Sequence, residues 1–215
     1  MLCSICLSSE FTEFNGRKNA RCTGCGSLER HRAVYTVLLN NDIINYNSVI
    51  LHMAPERCLV DSIKNKVNAD NYVLADIDVP YYKERFDLDC VYLDAAKSSS
   101  FSDNFFDLII HNHVLEHLTG TYKDHIAEMI RIIKPGKHIV FTVPFLKNIK
   151  NSFEGGEDLP SDAERKVVFG QNDHYKVFGR DFLYYLNTID SITVKTFLLD
   201  SFSTMDTVFV LTKHK

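Results

Sequence analysis

Residues 48–76, SVILHMAPERCLVDSIKNKVNADNYVLAD, constrain the fold more tightly than any other stretch of the chain. An apolar run from Val49 to Met53 stops at Ala54-Pro55-Glu56. An amphipathic stretch follows from Arg57 to Val67, and a second apolar run from Tyr72 to Ala75 ends on Asp76. Short apolar runs bounded by turn signals read as buried strands, and the amphipathic piece between them reads as a helix. Two strands joined this way lie parallel, because the connection is long enough for a crossover and too long for a hairpin.

A parallel sheet of this kind leaves a crevice outside the carboxyl ends of its strands, where nucleotide-like ligands bind. An acid closing the second strand about 20 positions after the first turn is placed to accept hydrogen bonds from a ribose diol. Asp76 holds that position. The first turn has no GxGxxG run, so the backbone cradle for a pyrophosphate is missing and a nicotinamide or flavin dinucleotide is disfavoured. A ligand with a ribose and no phosphate, such as S-adenosylmethionine, suits the pattern better.

A length of 215 residues, 45% of them hydrophobic and 24% charged, fits one α/β domain with a small appendage. The net charge of −4 gives no general attraction to nucleic acid or anionic lipid. The opening MLCSICLSSEF lacks a basic region followed by a long apolar one, and no later apolar run reaches about 18 residues, so the expectation is a cytoplasmic protein.

Cys3, Cys6, Cys22 and Cys25 form two CxxC pairs separated by fifteen residues. Two-residue gaps let paired thiolates reach one tetrahedral ion while the intervening segment returns as a hairpin, which is zinc-site spacing. Gly24 and Gly26 flank the last ligand, where the backbone turns tightly around a metal. Disulfides are the alternative, disfavoured in a reducing compartment. Four thiolates would close the site, making it structural rather than catalytic.

The run Gly26-Ser27-Leu28-Glu29-Arg30-His31-Arg32 leads into AVYTVLLNN, and apolar spacing predicts a helix over 28–39. Arg30, His31 and Arg32 form a small basic cluster. It is either a solvated face tethering the ribbon or a contact for an anionic substrate group, since guanidinium pairs bidentately with phosphate or carboxylate.

Further on, Asp78-Val79-Pro80 reads as a break, Cys90–Leu93 as a short strand before Asp94-Ala95, and Phe105–Ile110 as a buried strand ending in His111-Asn112-His113. A helix is expected from Thr119 or Thr121 to Pro135-Gly136, with Ile126, Met129, Ile130 and Ile133 on one stripe. Lys137–Pro144 returns as a strand. Residues 147–178 are polar, contain Gly155-Gly156 and Pro160, and read as a long loop over the carboxyl edge of the sheet. A helix over 180–187 precedes strands at 192–199 and 207–212, joined through 200–206 as an antiparallel edge pair. Strands alternating with helices give a mostly parallel sheet with right-handed crossovers.

Taken together, ILHMAPE (50–56), VLAD (73–76), Asp94-Ala95, FDLIIHNHVLEHL (106–118) and IIKPGKHIVFTVP (132–144) resemble the class I S-adenosylmethionine-dependent methyltransferases of the type 11 group. CTGCGSLERHR and FGQNDHYKVFGRDF are similar to a subgroup with an N-terminal zinc ribbon. The resemblance implies a Rossmann-like fold with a mostly parallel seven-stranded sheet, helices on both faces, a ribbon over 1–27 and a methyltransferase domain over 28–215. It implies that His52, Ala54, Pro55 and Glu56 lie against the methionine part of the cofactor and that Asp76 takes the ribose hydroxyls. Asp94 and Ala95 would sit near the adenine, with His111, Asn112 and His113 on the floor beside the sulfonium. Many relatives carry a Gly-rich first turn, which His52-Met53-Ala54-Pro55 replaces here.

Methyl transfer is an in-line displacement, so the protein contributes orientation and, for a hydroxyl nucleophile, a general base. His174, oriented by Asp173, is the first candidate; His113 is the second. Glu116-His117 reads as a helix start. The resulting expectation is O-methylation of a small polar acceptor, with the resemblance suggesting precursors of surface glycans or specialised metabolites, some bearing phosphate. Rival readings are an RNA methyltransferase that grips nucleic acid through the ribbon and a non-catalytic binding module of the same fold. Oligomeric state is left open.

Overall fold

Strand residues alternate between two apolar clusters, and this alternation sets the layers of the molecule. The computed structural model describes residues 2–159, 161–198 and 207–215. Leu51, Ile109, Ile139, Phe141, Phe209 and Leu211 pack on one side of the central sheet, while Ile50, Leu108, Ile110, Val140 and Val210 pack on the other. The period of two is the signature of strands covered on both faces.

The sheet has seven strands: β3 (Ile50–Met53), β4 (Tyr72–Asp76), β5 (Val91–Tyr92), β6 (Phe106–Asn112), β7 (Ile133–Thr142), β10 (Ile192–Phe197) and β11 (Val208–Lys213). Their order is β10-β11-β7-β6-β3-β4-β5. All neighbouring pairs are parallel except the two that involve β11. Helices α1 (Glu29–Asn40) and α2 (Arg57–Ile63) cover one face. Helices α4 (Tyr122–Ile132) and α6 (Arg180–Asn187) cover the other. On that second face Phe141, Phe182 and Phe209 are each fully buried and contribute roughly 1.5–3 kcal/mol apiece.

The chain runs outward from β3 to β5 and then crosses back to β6, so the order of connection reverses between β3 and β6. Such a switch point opens the crevice expected of this topology. The residue after each of these two strands sits in the left-handed region: Ala54 at φ 47° and His113 at φ 54°. Both are non-glycine, and strain of this type costs of order 1–3 kcal/mol and collects at functional sites.

Several expected boundaries shift. Helix α2 ends at Ile63 instead of continuing to Val67, and α4 ends at Ile132 because Ile133 is already extended and pairs with Phe106. Lys134–Lys137, with Gly136 at φ 74°, then loops out before His138 rejoins the ladder opposite Leu108. The supposed break at Asp78-Val79-Pro80 instead opens a helix, α3 (Val79–Phe86), in which the Asp78 carboxylate accepts from the Tyr81 N–H at 3.1 Å. Proline in a first turn costs no helical hydrogen bond. Glu116-His117 lies in a single 3-10 turn, Leu115–His117, and not in an α-helix.

Residues 147–178 are not a bare loop. They carry the two-stranded β8 (Phe153–Glu154) and β9 (Lys176–Val177), a 3-10 turn, and α5 (Asp162–Phe169). The insert is pinned to the 3-10 turn of the main domain: Tyr175 N–H donates to the Glu116 carbonyl at 2.7 Å, and the buried Lys176 donates to the Leu118 carbonyl. The edge strands β10 and β11 pair antiparallel as expected, while the connection at 200–206 lies outside the described residues.

The N-terminal hairpin is β1 (Phe11–Phe14) and β2 (Arg17–Cys22), joined at Asn15-Gly16 with φ of 50° and 76°. Asn-Gly supplies the two positive angles that a tight hairpin turn requires. Arg32, buried in α1, donates to the carbonyls of Ala20 (3.0 Å) and Ser27 (2.8 Å) and stacks on Phe11, fastening the hairpin to the domain.

Candidate active site

Two clefts meet at the carboxyl edge of the sheet. One, of about 740 Å³, is bounded by the ends of β3, β4 and β5 and includes Ala75, Asp76, Leu93, Asp94 and Ala95. The other, of about 770 Å³, lies between the hairpin tip, Arg30, Glu56, Asn112 and the insert residues Phe169, Asp173 and His174. Ala54, His113 and His117 border both clefts.

In the first cleft the Asp76 carboxylate accepts from the Asp78 N–H at 2.8 Å, and burial raises its proton affinity. Asp94 caps the Ala96 N–H at 3.0 Å, and an ion pair with Lys97 at 2.7 Å lowers its pKa. The Ala54 N–H donates to the Ala75 carbonyl at 3.0 Å, tying the first turn to the neighbouring strand end. Glu157 and Tyr175 bring the insert to the same cleft.

Not all of the residues expected around the cofactor border this cleft. His52 is fully buried, its ring nitrogens 2.8 Å from the Tyr72 hydroxyl and 3.1 Å from the Glu56 carboxylate. Pro55 is buried behind the turn. His111 is fully buried, stacked on Phe141 at 4.8 Å and edge-on to His125, so it packs the opposite face and lines neither cleft. The strand alternation explains both histidines: each points into a covered face of the sheet. Glu56 and Asn112 border the second cleft instead.

Glu56 joins the elements beneath that second cleft. It lies 3.5 Å from His31 Nε2, accepts from His52, and is within 3.4 Å of the Asn112 amide. Burial opposes its ionisation, but its contacts with His31 and His52 outweigh that and hold it below the usual carboxylate range. His31, by contrast, is held neutral by burial, down to about 3. Of the basic cluster, Arg32 is structural and His31 is internal, while Arg30 reaches the second cleft with its Nε lacking a hydrogen-bond partner among the described residues. Arg17 is held by a bidentate pair with Glu29 at 3.1 and 3.2 Å.

At the meeting of the clefts, His113 Nδ1 is 2.7 Å from Glu116 Oε1, and Glu116 is fully buried. Burial would raise the Glu116 carboxyl, but His113 and His117 hold it ionised. His174 is also buried, which lowers its pKa. Asp173 does not orient His174: its carboxylate lies 3.5 Å from His117 Nδ1, and its carbonyl is 3.0 Å from the same nitrogen. The hairpin tip at Phe14, Asn15 and Arg17 was not expected in a site. The Asn-Gly signal gives the turn but not the direction in which it points.

The four N-terminal cysteines converge. Cys3 and Cys25 sulfurs are 3.7 Å apart, Cys6 and Cys22 sulfurs 3.5 Å apart, and all four lie within 4.8 Å of one another without disulfide bonds. Tetrahedral zinc with sulfur at about 2.3 Å needs this spacing. A Cβ on Gly24 would stand 3.1 Å from the Cys6 sulfur, so a side chain there would press on that ligand.

A profile for the methyltransferase domain matches residues 24–141, more than half of the chain. No curated sequence matches. Among solved structures, the CurJ carbon methyltransferase is 14% identical with a TM-score of 0.62, covering 91% of this chain and 56% of that one. Thus the present chain spans little more than half of that protein's length. The NodS N-methyltransferase of Bradyrhizobium japonicum, solved with S-adenosylhomocysteine, is 18% identical with a TM-score of 0.53, covering 85% and 84%. A Burkholderia thailandensis N1-methyltransferase, bound to 1,6-didemethyltoxoflavin and S-adenosylhomocysteine, is 11% identical with a TM-score of 0.55, covering 87% and 79%. The fold is that of a Rossmann-like methyltransferase. The chain belongs to the methyltransferase domain family and is an S-adenosylmethionine-dependent methyltransferase.

Proposed function

We propose that the protein O-methylates a small, anionic acceptor. The observation that carries this reading is the shared border at Ala54, His113 and His117, where the cleft that holds Asp76 and Asp94 meets a second cleft with room for a separate molecule. In this reading Asp76 takes the ribose diol, Asp94 and Ala95 flank the adenine, and Ala54 lies beside the methionine portion. His52, Pro55 and His111 support the walls from behind. Glu56 and Asn112 face the acceptor side.

His113 is the general base, with Glu116 holding its Nδ1 so that Nε2 carries the lone pair that accepts a hydroxyl proton. His174 borders the acceptor cleft without an orienting carboxylate of its own, which favours His113 over it. Arg30 supplies the cation for a phosphate or carboxylate on the acceptor. Precursors of surface glycans or specialised metabolites with such a group fit this chemistry.

The four cysteines hold structural zinc, and residues 1–27 act as a ribbon appended to the catalytic domain of residues 28–215. A zinc site built from four cysteines with no disulfide among them suits a reducing, cytoplasmic setting. Among the described residues no helix is long and apolar enough to cross a membrane. Nucleic acid is a weaker candidate for the acceptor, because the chain carries a net charge of −4.

Transfer of labelled methyl from S-adenosylmethionine to a panel of hydroxylated acceptors, with and without phosphate or carboxylate, tests this reading. Label should appear on oxygen of the charged members and depend on Arg30. Label on nitrogen, transfer to RNA in a salt-sensitive manner, or no S-adenosylmethionine binding at millimolar concentration would overturn it.

A further inference from the structure

We propose that Glu116, His117 and His174 form a second metal site, for a divalent transition-metal ion, where the two clefts join. One donor atom from each residue lies within 4.8 Å of the others. Glu116 is 0% exposed, and while its Oε1 faces His113, its Oε2 has no hydrogen-bond partner among the described residues. His174 is 4% exposed, with a buried Nδ1 that also lacks a partner. A buried carboxylate oxygen and a buried ring nitrogen left bare in one place each cost free energy that a shared cation would offset.

The surroundings match what metal-binding histidines use. His117 Nδ1 donates to the Asp173 carbonyl at 3.0 Å, which leaves the lone pair on Nε2. Ligating imidazoles are commonly fixed in this way, by a carbonyl on the other nitrogen. The His117 and His174 rings stand perpendicular at 4.7 Å. The two backbone segments that bear the ligands are tied directly together, since Tyr175 N–H donates to the Glu116 carbonyl at 2.7 Å. Two imidazoles and one carboxylate leave coordination positions open, the donor set of a facial triad. Imidazole donors favour iron, cobalt, nickel or zinc over magnesium, calcium or manganese, and no thiolate is shared with the cysteine site.

The role of this ion rests on the O-methylation reading, although its binding does not. An acceptor hydroxyl oxygen that fills an open position becomes more acidic. The hydroxyl proton passes to His113 Nε2 and the oxygen attacks the methyl carbon. The O–C bond forms as the C–S bond breaks, giving S-adenosylhomocysteine, the methyl ether and a protonated His113.

The test is calorimetric titration of the full chain, zinc-loaded on its cysteines, with Co2+ alone, while the visible spectrum reports any cobalt–thiolate band. One Co2+ should bind per chain without that band. His174→Ala and Glu116→Gln should each weaken binding by roughly tenfold or more. Circular dichroism and S-adenosylhomocysteine binding of His174→Ala verify that this variant is folded. No Co2+ binding by the wild type, or binding unchanged in both variants, overturns the site. Because neither methyl donor nor acceptor is present, the metal result stands apart from the acceptor reading: Co2+ binding without O-methylation would sink only the latter.

Discussion

His113 Nδ1 stands 2.7 Å from Glu116 Oε1, and His113, like Ala54, borders both clefts from a strained backbone position. If this imidazole takes the acceptor proton, His113→Ala should lower kcat by about 100- to 10,000-fold. Single-turnover methyl transfer at saturating acceptor is the measurement. A loss expressed only in KM would assign His113 to binding.

Ala54 occupies a left-handed conformation that glycine adopts freely. Ala54→Gly should therefore stabilise the fold by about 1 kcal/mol, the strain relieved exceeding the entropy lost. A thermal melt checks this. Ala54→Val should do the reverse and also lower S-adenosylhomocysteine affinity, because the added methyls enter the border shared by both clefts.

Glu128 on α4 accepts from Arg131 and from the N–H and hydroxyl of Ser99, and so holds the segment after Asp94-Ala95 against the helix. The Arg131 hydrogen bonds bring its pKa down to about 2. A depressed carboxylate contributes stability that is present above its unfolded pKa of about 4.3 and is lost as pH falls through its folded value. Wild-type protein should lose melting temperature between about pH 4.3 and pH 2 through this group. Glu128→Gln should start lower at neutral pH and show a shallower decline.

Gly156 lets the insert pack closely: a Cβ there would stand 2.5 Å from Tyr175 Cα. Gly156→Ala should lift residues 172–177 from the 3-10 turn. Faster amide exchange at Tyr175, with the central strands unchanged, would report that loosening.

The hairpin tip borders the second cleft, whereas the first cleft contains no residue from it. Replacing Cys22 and Cys25 with serine should remove zinc, raise KM for the acceptor and leave S-adenosylhomocysteine affinity unchanged. Metal analysis and calorimetry test the two halves separately.

The sheet was legible because its strands are buried runs whose side chains serve two cores, and Asp76 was legible because a strand end fixes its position. Helix α3 escaped notice because Asp78-Val79-Pro80 reads as a break, whereas a capping Asp followed by proline in the first turn is a helix start. Helix α5 did carry a signal: Ser161 and Glu164 form reciprocal capping contacts, and Gly170 at φ 82° ends the helix. His52 and His111 were expected at the cofactor, but strand alternation turns both inward. The pairing of Glu116 with His113 depends on a chain reversal after β6 that residue spacing does not encode.

A four-residue bend in the cysteine-bound hairpin forms part of the wall against which an acceptor would rest. Its loops are free of the sheet's packing demands. Relatives could therefore exchange one acceptor for another by changing Phe14, while Asn15-Gly16 keeps the turn and Arg17 keeps its pair with Glu29, leaving the machinery for the methyl donor untouched.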